Sequence, residues 1–370
     1  MNGLILCTNE CNLRCAYCFE ESMRNNEMQN ITYIRSRFDK FLDEYFEKFI
    51  SQLIKINVEE LNREETDFTF HGGEALLVGH DLLEKGFMMV KKHPNTTIGI
   101  QTNGTLIDDE YIELFKKYNV KVGISLDGPE DMHNKYRKNF GGQDTFDLIF
   151  RNIQKMKKAG IVVGALATVT DVSVKEPERF YDFFAKNEIQ FSFNPCFTDP
   201  NLPSSYKVLN MHEYITFYKK MFDLWVEDET SNLSISCFEK IMSAMCIKKR
   251  PYMEVCTFIP DCSRTTVAIS PEGDFYRCLH YLMDKKNRIG NIAEDSLIKA
   301  LGDERIRERW TRLRQNECRD CDIQDYCCGG CPYVAETGNG DVMTKANTCE
   351  SQKAIVHYIY DYLREKNGKK

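Results

Sequence analysis

Sixteen cysteines in a chain of 370 residues constrain this protein more than any other feature of its sequence. Cys11, Cys15 and Cys18 form a tight group near the start, and a second, larger group runs from Cys256 to Cys349. Met1–Cys7 has a short apolar run, but no basic stretch precedes it and no small-residue cleavage site follows, so it does not read as a signal peptide. No segment approaches the roughly 18 uninterrupted apolar residues of a membrane span. The expected location is therefore the cytoplasm, where thiols stay reduced. Disulfides are then a poor account of these cysteines, and bound metal is a better one. The formal net charge of −7 argues against a dedicated nucleic-acid binder. Neither nucleic acid nor a membrane is an expected partner.

From Leu4 to about Asn194 short apolar runs alternate with amphipathic stretches. Leu4–Thr8, Asp67–Phe70, Thr97–Gln101, Val120–Leu126, Val162–Val169 and Gln190–Asn194 read as strands. Ile34–Ile56, Asp108–Tyr118, Thr145–Ala159 and Glu176–Asn187 read as helices. This alternation predicts an α/β fold built on a parallel sheet. Six units are too few for a closed eight-fold barrel, so an open, partial (βα)6 TIM-like barrel is expected, with its site at the C-terminal strand ends. An open doubly wound sheet shares the same periodicity. After Pro203 the rhythm stops: Met211–Glu227 and Ile235–Lys249 read as helices, as does Gln352–Lys366. The segment Cys256–Cys349 shows little continuous apolar periodicity and is expected to draw its folding energy from metal rather than from a side-chain core.

Cys11-x3-Cys15-x2-Cys18 follows the first strand. Three thiolates so placed can hold three irons of a [4Fe–4S] cluster and leave the fourth iron open. Zinc with a distant fourth ligand is the alternative by spacing alone. The surrounding sequence, Cys11-Asn-Leu-Arg-Cys15-Ala-Tyr17-Cys18, resembles the radical S-adenosylmethionine (SAM) enzymes, whose hallmark is C-x3-C-x-aromatic-C. The resemblance implies that SAM chelates the open iron and yields a 5′-deoxyadenosyl radical that removes a substrate hydrogen atom. Further similarities fall at successive strand ends. His71-Gly72-Gly73-Glu74 matches the motif that holds the methionine amino group, and Gln101-Thr102-Asn103-Gly104 follows the third strand. Ser125 matches a ribose contact and Arg137 a partner of the methionine carboxylate. Tyr17 and Gly73 match backbone positions near the adenine and methionine, and Phe197 matches an adenine contact.

The C-terminal cysteines resemble the SPASM extension of peptide- and protein-modifying radical enzymes. Cys262, Gly273 and Cys278 lead into Cys318-x2-Cys321-x5-Cys327-x3-Cys331 and then Cys349, with Cys256 as an extra ligand position. Carried over position by position, Cys256, Cys262, Cys278 and Cys331 hold one auxiliary [4Fe–4S] cluster, and Cys318, Cys321, Cys327 and Cys349 hold the other. Three [4Fe–4S] clusters and SAM are thus the implied cofactors. The implied division is 1–205 radical SAM partial barrel, 206–255 helical linker, 256–350 SPASM domain and 351–370 C-terminal helix. The implied substrate is a peptide or protein, and ferredoxin or flavodoxin the electron donor. Oxidative modification or thioether or carbon–carbon crosslinking of a ribosomally made peptide is the expected reaction, with the leader bound elsewhere on the chain or by a separate leader-binding protein. The alternative is formylglycine formation as in anaerobic sulfatase-maturing enzymes, which the chain resembles in layout. Those enzymes carry a proton-accepting Asp where this chain has Leu279, which cannot accept a proton, and His280 is the nearest candidate base.

Overall fold

The computed structural model describes residues 1–18, 30–196, 209–246, 255–259, 262–282, 285–302 and 305–368. Its strands are β1 (Asn2–Leu6), β2 (Thr66–His71), β3 (Thr96–Thr102), β4 (Lys121–Ser125), β5 (Val163–Val169), β6 (Gln190–Pro195), β7 (Thr266–Ile269), β8 (Asp274–Tyr276) and β9 (Gly290–Asn291). The helices between β1 and β5 are α1 (Ile31–Phe41), α2 (Glu47–Glu59), α3 (His80–Lys91), α4 (Asp109–Tyr118), α5 (Glu130–Tyr136) and α6 (Phe146–Lys158). Later helices are α7 (Pro177–Lys186), α8 (Met211–Glu227), α9 (Ser236–Cys246), α10 (Leu297–Ala300), α11 (Arg305–Gln315), α12 (Pro332–Asn339) and α13 (Cys349–Gly368). Among the described residues no helix is long and apolar enough to cross a membrane. The chain forms two compact units, one of Met1–Leu126, His133–Gly164 and Ser263–Glu304, the other of Asp127–Met132, Ala165–Cys262 and Arg305–Lys370.

In the first unit β1 to β4 run parallel, and a single apolar row crosses them. Ile5 pairs with Phe70, Phe70 with Ile100 and Ile100 with Val122, all buried. A slip of one residue would turn such a row to the opposite face, so the pattern fixes the register. Helices cover that sheet with aromatic contacts: the Phe46 and Phe70 rings lie 5.9 Å apart and those of Phe70 and Phe87 5.0 Å. A π turn at Leu42–Phe46 joins α1 to α2, placing one extra residue within the long helix read from Ile34 to Ile56. The helix ends follow from short polar residues. Asp108 accepts the Tyr111 N–H at 2.9 Å to start α4, and Asn119 ends it in the left-handed region at φ 51°.

The second unit has an aromatic core. Phe184 stacks on Phe191 at 4.1 Å, and Phe193, Phe217, Tyr218 and Phe238 meet edge to face. Helix α13 lies against α8, where the Tyr358 hydroxyl donates to Asp223 at 2.7 Å and Phe222 meets Tyr362 at 5.2 Å. Arg309 of α11 is fully buried, and its guanidinium donates to the carbonyls of Gly330 (3.0 Å), Gly329 (2.9 Å) and Thr344 (2.9 Å). Cys328, Gly329 and Gly330 all have positive φ, so the cysteine-bearing turn curls around that charge.

One expectation is corrected. The segment from Ser263 to Gly302 has a side-chain core, although its sequence shows little periodicity. Strand β7 pairs with β1 in parallel, Ile269 opposite Ile5, and the sheet order in the first unit is β4-β3-β2-β1-β7-β8-β9. Val267, Ile269, Phe275, Ile292 and Leu297 are completely buried, and Phe275 meets Phe49 of α2 at 6.2 Å. The strands were hidden because they are only two to four residues long and lean on a strand and helix more than two hundred residues earlier. At roughly 2 kcal/mol for each fully buried side chain, these five supply substantial stability without metal. Between Arg305 and Cys349 the large aliphatic side chains buried are only Ile306, Leu313 and Ile323. Limited proteolysis of iron-free protein should therefore cut between residues 305 and 349 much faster than between 266 and 302. Equal rates in the two stretches would contradict this division.

Candidate radical site at the strand ends

The C-terminal ends of β1 to β4 share one edge, and the residues singled out in the sequence gather there. The loop after β1 is clamped by main-chain bonds that extend the β1–β2 ladder. Cys7 N–H donates to His71 O at 2.7 Å, Gly73 N–H to Thr8 O at 2.8 Å and Glu74 N–H to Glu10 O at 2.8 Å. Gly72 and Gly73 permit this approach. A Cβ at Gly72 would lie 2.4 Å from Thr8 O, and one at Gly73 would lie 2.3 Å from Glu10 O. The close contact made by the two glycines is thus with the main chain of the cysteine loop.

A second clamp holds the loop from its other side. Arg14 N–H donates to Lys138 O at 2.8 Å and Ala16 N–H to Tyr136 O at 2.9 Å, while Leu13 bridges Asn139 in antiparallel fashion. The segment Tyr136–Asn139 is itself braced. Thr145 donates to Arg137 O at 2.9 Å and lies 3.1 Å from the buried His133 ring. These bonds bring Cys11, Cys15, Cys18 and Tyr17 into one packed group with Leu13. Arg137 lies over the Tyr17 ring at 5.3 Å and directs Nη1 to Cys15 Sγ at 3.9 Å. Cys11 Sγ accepts from Leu13 N–H at 3.4 Å and from Asn103 Nδ2 at 3.6 Å. A guanidinium and two N–H groups aimed at sulfur suit thiolates carrying the negative charge of a metal cluster. The donor set therefore fits an iron–sulfur group at this loop.

Glu74 is 1% exposed, and burial raises its carboxyl above the usual range despite three donors. Oε1 accepts from Leu76 N–H (3.0 Å) and Thr102 Oγ1 (2.6 Å), and Oε2 accepts from Asn103 N–H (2.7 Å). It ties the end of β2 to the end of β3. Ser125 Oγ accepts from Gln101 Nε2 at 3.2 Å. His280 is exposed on a short 3-10 turn, Leu279–Tyr281, immediately after Cys278. Phe197 lies outside the described residues.

Among the C-terminal cysteines, Cys278 is in the first unit and the other seven proposed ligands are in the second. There Cys318 packs with Leu313, Cys321, Cys328 and Trp310. Burial, then the charges of Cys349 and Cys318, pushes the Cys327 thiol up to about 12. The sequence reading attached no role to Asn103, Asn12, Thr105 or Arg309. Gln101-Thr102-Asn103-Gly104 marks a turn after a strand, but nothing in it shows that the Asn side chain reaches back to Cys11.

Comparison with known proteins agrees with this organisation. A family profile described as the radical SAM superfamily matches residues 5–184, and one described as SPASM, an iron–sulfur cluster-binding domain, matches residues 240–322. A serine-type anaerobic sulfatase-maturating enzyme of Bacteroides thetaiotaomicron is 30% identical over 356 residues, covering 90% of this chain and 82% of the relative. A cysteine-type anaerobic sulfatase-maturating enzyme of Clostridium perfringens is 29% identical, covering 95% of this chain and 94% of the relative. The solved structure of native anSMEcpe with bound AdoMet and Kp18Cys peptide superposes with a TM-score of 0.81 at 26% identity, over 100% of this chain and 99% of that one.

The clamp at Gly73 has a direct consequence. Gly73→Ala should displace the cysteine loop, lowering iron by about a third and destabilising the fold by roughly 1–3 kcal/mol. Iron analysis and thermal unfolding check this, and full iron with an unshifted midpoint would contradict it.

Proposed function

This chain belongs to the radical SAM superfamily and carries a SPASM iron–sulfur domain, and we propose that it matures a protein or peptide by oxidising a cysteine or serine side chain to an aldehyde. The observation that carries this reading is the reach of the likeness. Enzymes that mature sulfatases align with 90% and 95% of the chain, and a peptide-bound structure of the group superposes over all of it.

Cys11, Cys15 and Cys18 hold the catalytic [4Fe–4S] cluster, and the eight C-terminal ligands named above hold two auxiliary clusters. Gly72, Gly73, Glu74, Ser125, Arg137 and Tyr17 form the SAM site beside the first. When bound together, that cluster and SAM supply a 5′-deoxyadenosyl radical that takes a hydrogen atom. The chain's own residues do the rest. The two clamps fix the cysteine loop, and Arg137 offers a guanidinium to a carboxylate. A cysteine substrate loses one hydrogen atom, one proton and one electron from its CβH2–SH group, giving a thioaldehyde that water converts to an aldehyde and hydrogen sulfide. An auxiliary cluster held by the C-terminal cysteines would supply an acceptor for the electron, and the proton needs a base. Leu279 cannot serve, and His280, exposed beside it, takes that role. Ferredoxin or flavodoxin supplies the electron that starts the cycle.

Leu279 favours a second reading, in which the same site forms a thioether or carbon–carbon crosslink in a short peptide. The two readings separate in one assay. Reconstituted protein, SAM and a reductant are incubated with a sulfatase-type Cys-x-Pro-x-Arg peptide, and an aldehyde-reactive hydrazide traps the product. A hydrazone is expected, falling roughly a hundredfold in His280→Ala while SAM cleavage continues. Absence of hydrazone, with loss of two hydrogens per crosslink from a cognate short peptide, would favour the second reading.

A further inference from the structure

We propose that Asn103 is a positioning residue that sets the reduction potential of the catalytic cluster by donating a hydrogen bond to Cys11. The inference rests on the assignment of a cluster to Cys11, Cys15 and Cys18, and concerns a residue whose role that assignment leaves open.

Asn103 sits just past the end of β3, buried, with its N–H and both side-chain polar atoms engaged. Its N–H donates to Glu74 Oε2 at 2.7 Å, fixing the backbone. Its Oδ1 accepts from Thr105 N–H at 3.0 Å and from Thr105 Oγ1 at 2.6 Å. Two donors at that atom identify it as the oxygen, so the amide cannot be turned over without setting N–H against N–H. The NH2 group must then face the other way. One hydrogen goes to Asn12 Oδ1 at 2.9 Å, and the other points to Cys11 Sγ at 3.6 Å. Asn12 is held in turn, its Nδ2 donating to Thr105 Oγ1 at 2.8 Å. Asn103, Asn12 and Thr105 thus form a closed ring of hydrogen bonds that aims one N–H at one sulfur. A second donor to that sulfur, Leu13 N–H, comes from the loop itself and would be present in any C-x3-C turn of this shape. Asn103 is the contribution of the sheet.

Reduction adds negative charge to a cluster and its thiolates, so an N–H···S bond favours the reduced state and raises the potential. Glu74 fixes the strand end that carries this donor. It thereby links the Gly-Gly-Glu turn to the electron affinity of the cluster as well as to the loop geometry.

The test is a potentiometric titration of full-length reconstituted protein, following the EPR signal that changes when SAM is added. In Asn103→Leu the ratio of reduced to oxidised cluster at the wild-type midpoint should fall about tenfold. Asn103→Asp, which keeps the shape and replaces the donor by oxygen, should fall at least as far. Thr105→Val removes a brace but leaves the N–H in place, and its midpoint should stay near wild type. An unchanged midpoint in iron-replete Asn103→Leu and Asn103→Asp would overturn the proposal. Should those variants lose iron, ENDOR spectra of wild-type protein labelled with 15N-asparagine decide the matter. Amide coupling to the reduced cluster supports the proposal, and its absence overturns it. If replacing Cys11, Cys15 and Cys18 left both iron and the SAM-responsive signal intact, the cluster assignment itself would fall. That result is distinct from any Asn103 outcome.

Discussion

Everything at the candidate site depends on how the eleven residues after Cys7 are held. A loop that bears three thiols in eight positions has no core of its own, and as a free segment it would sample many shapes. Here its carbonyls at Thr8 and Glu10 receive the N–H groups of Gly73 and Glu74, and its N–H groups at Arg14 and Ala16 reach the carbonyls of Lys138 and Tyr136. These bonds come from two different connections of the α/β fold. The parallel sheet therefore does more than present the loop at its edge. It supplies main-chain partners on both flanks, and the two glycines exist to let one of those flanks come close enough.

Much of this was legible in the sequence. The six strands of the alternating half are found within a residue or two of where periodicity put them, because each buries alternate side chains, and across β1 to β4 those side chains line up in rows. The cysteine spacing and the Gly-Gly-Glu turn identified the family; the radical SAM profile spans both early motifs at residues 5–184, and the SPASM profile spans residues 240–322, ending before Cys327. Periodicity could not show β7 to β9. Strands of two to four residues carry too little pattern, and their stability comes from β1 and α2, far away in sequence. Nor could it show Asn103 or Arg309. A buried polar side chain is satisfied by partners that sequence spacing does not encode, and Arg309 reads as one more charge in a strongly basic helix.

The cysteine-rich half is not uniform. Residues 263–302 pack apolar side chains, whereas the turn from Cys327 to Cys331 is organised by a buried guanidinium and left-handed backbone. Removing that arginine would take away the donor that the buried Gly330 carbonyl has at 3.0 Å, whereas Gly329 O would keep the Ala346 N–H at 2.8 Å. A positive charge held beneath a turn destined to carry thiolates is favourable once they ionise.

Leu279 stands where the resemblance to sulfatase-maturing enzymes implies an Asp, but the central claim lies upstream of the choice of base. It is that Cys11, Cys15 and Cys18 bind a four-iron cluster with one iron open to SAM. EPR of the dithionite-reduced protein, recorded with and without SAM, tests this most directly. A spectrum that changes on adding SAM, and still does so after Cys318 and Cys321 are replaced by Ala, is the result expected. A spectrum indifferent to SAM in fully iron-loaded protein would contradict the account.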